Sequence, residues 1–336
     1  MRLIRLGLLV PIGKATRMNL PNRIVDKCHE SNIQIIEINI DKDIESQGPF
    51  DFVLHKVLDF YNEHKDEPEI ARWKIDKFVS YTKAHPETII IDDMDFCWRL
   101  TNRKLMIDLI EHCIFKTGNR SVFLPKTLDI TENITDLDLE TTVIENKIQF
   151  PVVVKPHSAY FDDGSHLMSL VFNHEGLKDF KKPYLVQEFC DHGAVLYKVF
   201  VIGNKYHICE RPSVKNLVVE DSLEINCKQP EINIEFDSFN ISKLGQCFNK
   251  VLHSEDPNHQ TWLSSDQKSF LLDKETIGEI VLRIKKYSGL NLYGFDILVE
   301  EHTGNYALID INQFPSYKGI DSSHFANDLV ELLKTL

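Results

Sequence analysis

The sequence predicts a mixed fold with two unlike halves. An open α/β domain with a largely parallel sheet is followed by antiparallel β structure with flanking helices. Two patterns carry this. Over about the first 90 residues, short β-branched runs alternate with stretches of helical periodicity, as the crossovers of a parallel sheet require. In the second half, apolar runs face each other across turn signals such as Gly203-Asn204, which mark hairpins. The chain has 336 residues, 43% hydrophobic and 26% charged; that allows two or three cores and excludes a disordered or low-complexity protein.

Each element follows from its own residues. Leu3, Ile4, Leu6, Leu8, Leu9 and Val10 make 3–10 a buried first strand. Residues 20–31 are helical in character, and NIQIIEINI at 32–40 is short and β-branched, hence a strand. DFVLHKV at 51–57 is a further strand, 69–84 a helix, and HPETIIID at 85–92 a turn and strand. A helix follows at 102–115, then the apolar strand FPVVVKP at 150–156 and YLVQEF at 184–189. Residues 194–213 form a hairpin. The stretch 219–240 holds six acids against Lys228 alone and reads as a solvated excursion. Helices are expected at 240–252 and 274–288, an antiparallel pair at 292–300 and 306–312, and a last helix at 323–335. The chain shows no internal repeat.

The formal net charge is −13, acids outnumber bases in both halves, and there is no basic arm. Bulk nucleic-acid binding is therefore excluded. Seven cysteines without a C-x-x-C argue against a disulfide framework or zinc knuckle and for a reducing compartment. No apolar run reaches the ~18–20 residues that span a bilayer. The start MRLIRLGLLVPIGKA imitates a signal peptide, but Arg5 interrupts its apolar stretch, so a cytoplasmic protein is expected. GLLVPIGKAT at 7–16 imitates a phosphate-binding P-loop. Its spacing is one residue too long, Pro11 removes an N–H, and Ala15 stands where a hydroxyl must bind Mg²⁺. The chain has no G-x-G-x-x-G, H-E-x-x-H or G-x-S-x-G.

Two acids differ from the rest. Asp296 in YGFDILV and Asp310 in LIDINQFP lie inside apolar strands, where a carboxylate is costly unless paired or bound to metal. Asp310 and Asn312, two apart, share a strand face, and pairing of 293–299 with 306–312 brings Asp296 to it. Two carboxylates and an amide oxygen suit Mg²⁺ with phosphates completing its shell. Cations are at hand in Lys155, which ends VVVK, Lys198 inside AVLYKVFV, Arg211 and Lys215. SAYFDDGSH at 158–166 fits a loop able to close over a triphosphate, with His166 at its end.

These residues resemble a known family. HK at 55–56, VVVKP at 152–156, GSHLMSLVFNHEGL at 164–177, VQEF at 186–189, HGAVLYKVFVIG at 192–203, RPSVKN at 211–216, YGFDI at 293–297 and IDINQFPSYKG at 310–319 are similar to segments of the inositol 1,3,4-trisphosphate 5/6-kinases, members of the ATP-grasp superfamily. AHPETIIID at 84–92 fits as well, so the likeness runs through nearly the whole chain in order. It implies an ATP-grasp fold: a parallel-sheet N-terminal domain (1–98) and two antiparallel-sheet subdomains (99–190 and 191–336) that sandwich ATP, the last helix packing on the N-terminal domain.

The resemblance also implies residue roles. Arg103 and Lys155 would contact ATP phosphates, the Gln187–Glu188–Phe189 hinge the adenine, and Ser213, Ser238 and Ser242 the nucleotide. Asp296, Asp310 and Asn312 would bind two Mg²⁺ ions. Lys14, Lys56, His166, Lys198, Arg211, Asn312 and Ser316 would line the inositol phosphate pocket, with Asp296, Lys198 and His166 the catalytic groups. The expected function is Mg-ATP-dependent phosphorylation of inositol 1,3,4-trisphosphate at the 5- or 6-hydroxyl, with inositol 3,4,5,6-tetrakisphosphate as a further acceptor at position 1. The expected enzyme is a monomer that binds neither nucleic acid nor membrane. An ATP-grasp carboxylate–amine ligase is the alternative, because it shares the metal cluster; a non-catalytic ATP-binding regulator is a third reading. Two departures bear on acceptor preference: HSAYFDD at 157–163 is acidic, and Ser316 and Lys318 stand where the family more often has glycine and an acid.

Overall fold

A computed structural model describes residues 2–160, 163–214, 233–238, 240–241 and 272–336. The first sheet consists of β1 (Ile4–Leu9), β2 (Ile33–Glu37), β3 (Phe52–His55) and β4 (Ile89–Ile91), all parallel, in the order β2-β1-β3-β4. Its two faces are covered from opposite ends of the chain. Ala71, Ile75, Phe78 and Tyr81 of the helix Pro68–Ala84 pack with Leu9 and Val53. Phe325, Leu329 and Leu333 of the helix Ser322–Thr335 pack with Leu6, Leu8 and Leu54. Alternation along β1 sends Leu8 and Leu9 to opposite faces. Each such buried side chain contributes about 1.5–3 kcal/mol.

Further along come β5 (Phe115–Thr117), β6 (Arg120–Phe123), β7 (Thr127–Ile130), β8 (Val152–Pro156), β9 (Leu167–Val171), β10 (Tyr184–Glu188), β11 (Val195–Ile202), β12 (Lys205–Pro212), β13 (Asn233–Asp237), β14 (Leu292–Val299) and β15 (Tyr306–Gln313). They make a five-stranded antiparallel sheet, β13-β9-β8-β10-β7, and a six-stranded sheet, β12-β11-β14-β15-β6-β5. The latter is antiparallel except where β15 runs parallel to β6. The stretch 99–190 thus feeds both sheets.

Several elements depart from the sequence expectation. The strand expected to run to residue 57 stops at His55, and Val57–Asp59 turn into a 3₁₀ helix that brings Lys56 back to Asp59. The 219–240 excursion contains β13, which pairs with β9 and buries Ile234 and Phe236 while Glu235 faces out. Its acid count had masked an alternating pattern. The strands β5, β6, β7 and β9, the helices Ile12–Met18 and Met94–Arg99, and the helix Asp136–Glu145 were not expected; all are ten residues or fewer. Of the helix expected at 240–252, only residues 240 and 241 are among the described residues, and both are helical. No helix among the described residues is long and apolar enough to cross a membrane.

Gly294 shows how tightly β14 fits. A Cβ there would lie 3.2 Å from the Val199 carbonyl oxygen and 3.2 Å from Pro315 Cγ. Neither backbone nor a proline ring yields easily. Gly294→Ala is expected to destabilise the protein by about 1–3 kcal/mol in denaturant unfolding; an unchanged midpoint would show that the neighbours give way.

Candidate active site

The six-stranded sheet aligns the acidic centre by register. Lys198 on β11 is opposite Asp296 on β14, and Asp296 is opposite Asp310 on β15. The Lys198 ammonium donates to Asp296 Oδ2 at 2.9 Å and lies 2.8 Å from Oδ1. Asn312, two residues beyond Asp310 and on the same face, donates to Asp310 Oδ2 at 2.5 Å. A bulge between Asp296 and Ile297 re-aims the strand at this point.

Burial pushes the Asp296 carboxyl up; Lys198 pulls it down, and Asp310 pushes it up again. Burial would lower the Lys198 ammonium, but Asp296 outweighs it and raises it. Asp296 Oδ1 is buried, and its 2.8 Å contact with Lys198 is an ion pair without hydrogen-bond alignment. Its remaining lone-pair capacity, beside a second carboxylate and an amide oxygen, fits a hard divalent cation, which would neutralise the repulsion.

The five-stranded sheet supplies the facing wall. Lys155, 8% exposed, donates to Gln187 Oε1 at 2.6 Å, and Gln187 donates to Thr127 Oγ1 at 3.0 Å. Burial, reinforced by Arg103, lowers the Lys155 ammonium to about 8. Arg103 begins the helix Arg103–Glu111, capped by the Asn102 side chain on the N–H groups of Lys104 and Leu105. Its guanidinium donates to the carbonyls of Pro156 (2.9 Å), Ser158 and Ser165 (2.7 Å). It therefore fastens both ends of the loop after β8. His166 follows at the edge of the cleft, and Ser238 donates to its carbonyl at 3.3 Å.

Between the sheets is a cleft of about 1210 Å³, open to solvent. It is lined by Arg103, Lys155, His166, Gln187, Glu188, Phe189, Lys198, Ser213, Ser238, Asp296, Asp310 and Asn312. At its hinge the N–H groups of Glu188 and Phe189 donate to the carbonyls of Lys126 (2.9 Å) and Pro151 (3.0 Å). Ser213 is oriented by a residue not singled out from sequence. His192 Nδ1 is 2.6 Å from the Cys190 carbonyl, so Nδ1 carries the proton and the bare Nε2 accepts from the Ser213 hydroxyl at 2.7 Å. Burial lowers His192 to about 4 and keeps it neutral.

A second cationic cluster lies at the carboxyl ends of β1 and β3, where an open α/β sheet with this strand order has its ligand crevice. Lys14 is 3.4 Å from Asp59 Oδ1, and Lys56 is 3.0 Å from Asp59 Oδ2. The Tyr160 hydroxyl accepts from Lys56 at 2.8 Å and donates to Asp59 Oδ2 at 2.5 Å. Lys56 also stands 5.9 Å over the ring of Phe314, two residues past Asn312, which places this cluster beside the end of β15. The loop that follows is held from two sides. Arg23 donates to the carbonyls of Ser316, Tyr317 and Ile320, and Arg211 to that of Lys318 at 2.6 Å. Lys14, Lys56, Arg211 and Ser316 thus lie outside the lining of the cleft. Lys215 and Ser242 lie outside the described residues.

The model of the inositol 1,3,4-trisphosphate 5/6-kinase ATP-grasp domain matches residues 116–335, and that of the family's pre-ATP-grasp domain matches residues 7–96. The chain belongs to the inositol 1,3,4-trisphosphate 5/6-kinase family. The inositol-tetrakisphosphate 1-kinase of Xenopus laevis is 31% identical over 338 residues, spanning 99% of this chain and 78% of that one. The inositol-tetrakisphosphate 1-kinase of Danio rerio is 30% identical with the same coverage of both chains. Among solved structures, a RiPP-associated ATP-grasp ligase of Chryseobacterium gregarium, in complex with ADP and a leader and core peptide, superposes with a TM-score of 0.59. It covers 99% of this chain and 97% of its own at 11% identity, which shows the ATP-grasp fold alone.

Membership decides between kinase and ligase: the chain is an ATP-dependent inositol phosphate kinase with an ATP-grasp fold. Within the 5/6-kinase frame, the groups missed from sequence are Asp59, Tyr160 and His192. Asp59 carried one signal, an acid three residues after Lys56 at the end of a buried strand.

Proposed function

We propose that the chain transfers the γ-phosphoryl group of Mg-ATP to the 5- or 6-hydroxyl of inositol 1,3,4-trisphosphate, with the 1-hydroxyl of inositol 3,4,5,6-tetrakisphosphate as a further acceptor. Family membership carries the acceptor class, and one observation carries the use of Mg-ATP: the row Lys198–Asp296–Asp310–Asn312 faces Lys155 across a cleft between two sheets. We assign lobes at 99–190 and 191–336 that exchange strands, β5 and β6 joining the six-stranded sheet and β13 the five-stranded one, in a chain working as a monomer in the cytosol.

Asp296, Asp310 and Asn312 would hold two Mg²⁺ ions, whose charge would offset that of the nucleotide phosphates. Lys155 and Arg103 would face those phosphates from the other wall. The base would lie at the Gln187–Phe189 hinge, where carbonyl oxygens suit an amino group because two N–H groups are already bonded. Ser213, with its proton turned to His192, would accept from the nucleotide, as would Ser238. Lys14, Lys56, Arg211, Asn312 and Ser316 would orient the acceptor. Lys198 and His166 would offset charge on the transferring group, whose loose transition state spreads it over three oxygens. The bond to the leaving β-phosphate oxygen breaks as the ring oxygen bonds phosphorus, and Asp296 would take the hydroxyl proton late.

The test is incubation with Mg-ATP and a panel of inositol phosphates, with isomer-resolved product analysis. The expected result is one new phosphate ester per ADP and no inorganic phosphate. Turnover confined to other acceptors would overturn the assignment.

A further inference from the structure

The cluster at the ends of β1 and β3 contains a carboxylate that the proposed acceptor pocket does not by itself require. Asp59 is 4% exposed and meets three partners from three parts of the chain: Lys14, Lys56 and Tyr160. A buried acid in an anion pocket opposes the ligand, so its presence needs a reason. The reason lies in the two lysines. Their ammoniums converge on one carboxyl group, one on each oxygen, and would repel each other without it.

We propose that Asp59 is a positioning residue for the acceptor: it holds the ammonium groups of Lys14 and Lys56 side by side, facing one phosphate group of the inositol ring. The proposal rests on the reading of these two lysines as acceptor ligands. An ammonium has three N–H donors. Lys56 commits one to Asp59 and one to Tyr160, which fixes the direction of the third. The charges facing Lys14 are Lys56, Asp59 and Arg17 of its own helix. Those facing Asp59 are Lys56, Lys14 and the Tyr160 hydroxyl, while the neighbouring His55 is buried and neutral. Burial, then Lys56, lowers Lys14 to about 8 even with Asp59 opposing them. Burial works against the Asp59 charge, but Lys56 and Lys14 outweigh it and keep the carboxyl below its ordinary range.

The test is the pH profile, from 6 to 9, of kcat/KM for inositol 1,3,4-trisphosphate. Wild type should lose activity toward alkaline pH as Lys14 loses its proton. Asp59→Asn should move that limb at least about one pH unit to the acid side and raise the acceptor KM about tenfold at pH 7.5. At pH 6 it should approach wild type, and the KM for ATP should not change. Asp59→Glu keeps the charge and should return the limb toward its wild-type position. A profile parallel to wild type at all pH values would mean a merely structural role and overturn the proposal. So would an unchanged acceptor KM in Asp59→Asn when Lys14→Ala and Lys56→Ala raise it. If neither lysine variant raises it, the acceptor pocket itself is wrongly assigned. Lys14→Arg gives a check independent of Asp59 variants, because a guanidinium keeps its proton over this range. It should abolish the limb, and a limb that survives overturns the proposal.

Discussion

Asp310→Ala should abolish turnover, by at least about 10³-fold in kcat, while leaving the metal-free protein as stable as wild type or more so. Asp310 and Asp296 are cross-strand partners in register. Without a cation, two carboxylates so placed repel, and that repulsion helps push the Asp296 carboxyl up. Alanine removes the repulsion and leaves Asp296 on Lys198, 2.9 Å away. It also removes a proposed metal ligand. Wild type should therefore gain thermal stability from Mg²⁺, about 2.7 kcal/mol at 100 times the dissociation constant, and the variant should not. Paired melting curves with and without Mg²⁺, beside a turnover assay, read both effects. Normal turnover by a folded Asp310→Ala protein would remove the acidic row from the mechanism.

Asp92→Ala should give the largest loss of stability, about 3 kcal/mol or more, from a residue far from the acidic row in function. Asp92 follows β4, and its carboxylate reaches the start of β14. It accepts from the N–H groups of Asn291 (2.7 Å) and Leu292 (2.8 Å) and from the Asn291 side chain (3.2 Å). Its own carbonyl is 2.6 Å from His55 Nε2. Alanine would leave buried N–H groups unmet at about 1–3 kcal/mol each and loosen the first sheet from the strand that carries Asp296.

The loss should depend on pH. Burial raises the Asp92 carboxyl to about 6, against its hydrogen bonds to Leu292 and Asn291. A carboxyl raised on folding contributes most below its unfolded value near 3.8 and loses that contribution as pH rises through about 6. The deficit of Asp92→Ala should accordingly narrow between pH 4 and 7 in denaturant unfolding. A deficit that widens there would mean that the carboxylate is favoured in the folded state.

The acidic row was legible in the sequence because its cost is local: an acid inside YGFDILV or LIDIN needs a partner wherever the strand goes. Spacing of two put Asp310 and Asn312 on one face before any fold was known. Asp59 was not legible in this way. Its partners Lys14 and Tyr160 are 45 and 101 positions away, and the 3₁₀ turn that presents it replaced the end of an expected strand. His192 was hidden for a similar reason, since its effect on Ser213 depends on which ring nitrogen meets the Cys190 carbonyl. Of the fold, long periodic elements such as Pro68–Ala84 and β14 were readable. Short strands of mixed residues such as β5 and β7 were not, because so few positions cannot establish a period, whereas the equally short β4 and β8 were, as unbroken β-branched runs.

The helix Ser322–Thr335, which covers one face of the first sheet, also sets an order of events during synthesis. Leu6, Leu8 and Leu54 leave the ribosome early, but Leu329 and Leu333, which cover them, come some 275 positions after Leu54. At 5–20 residues per second that interval is roughly 15–60 s. Throughout it the side chains that close this apolar face have yet to be made.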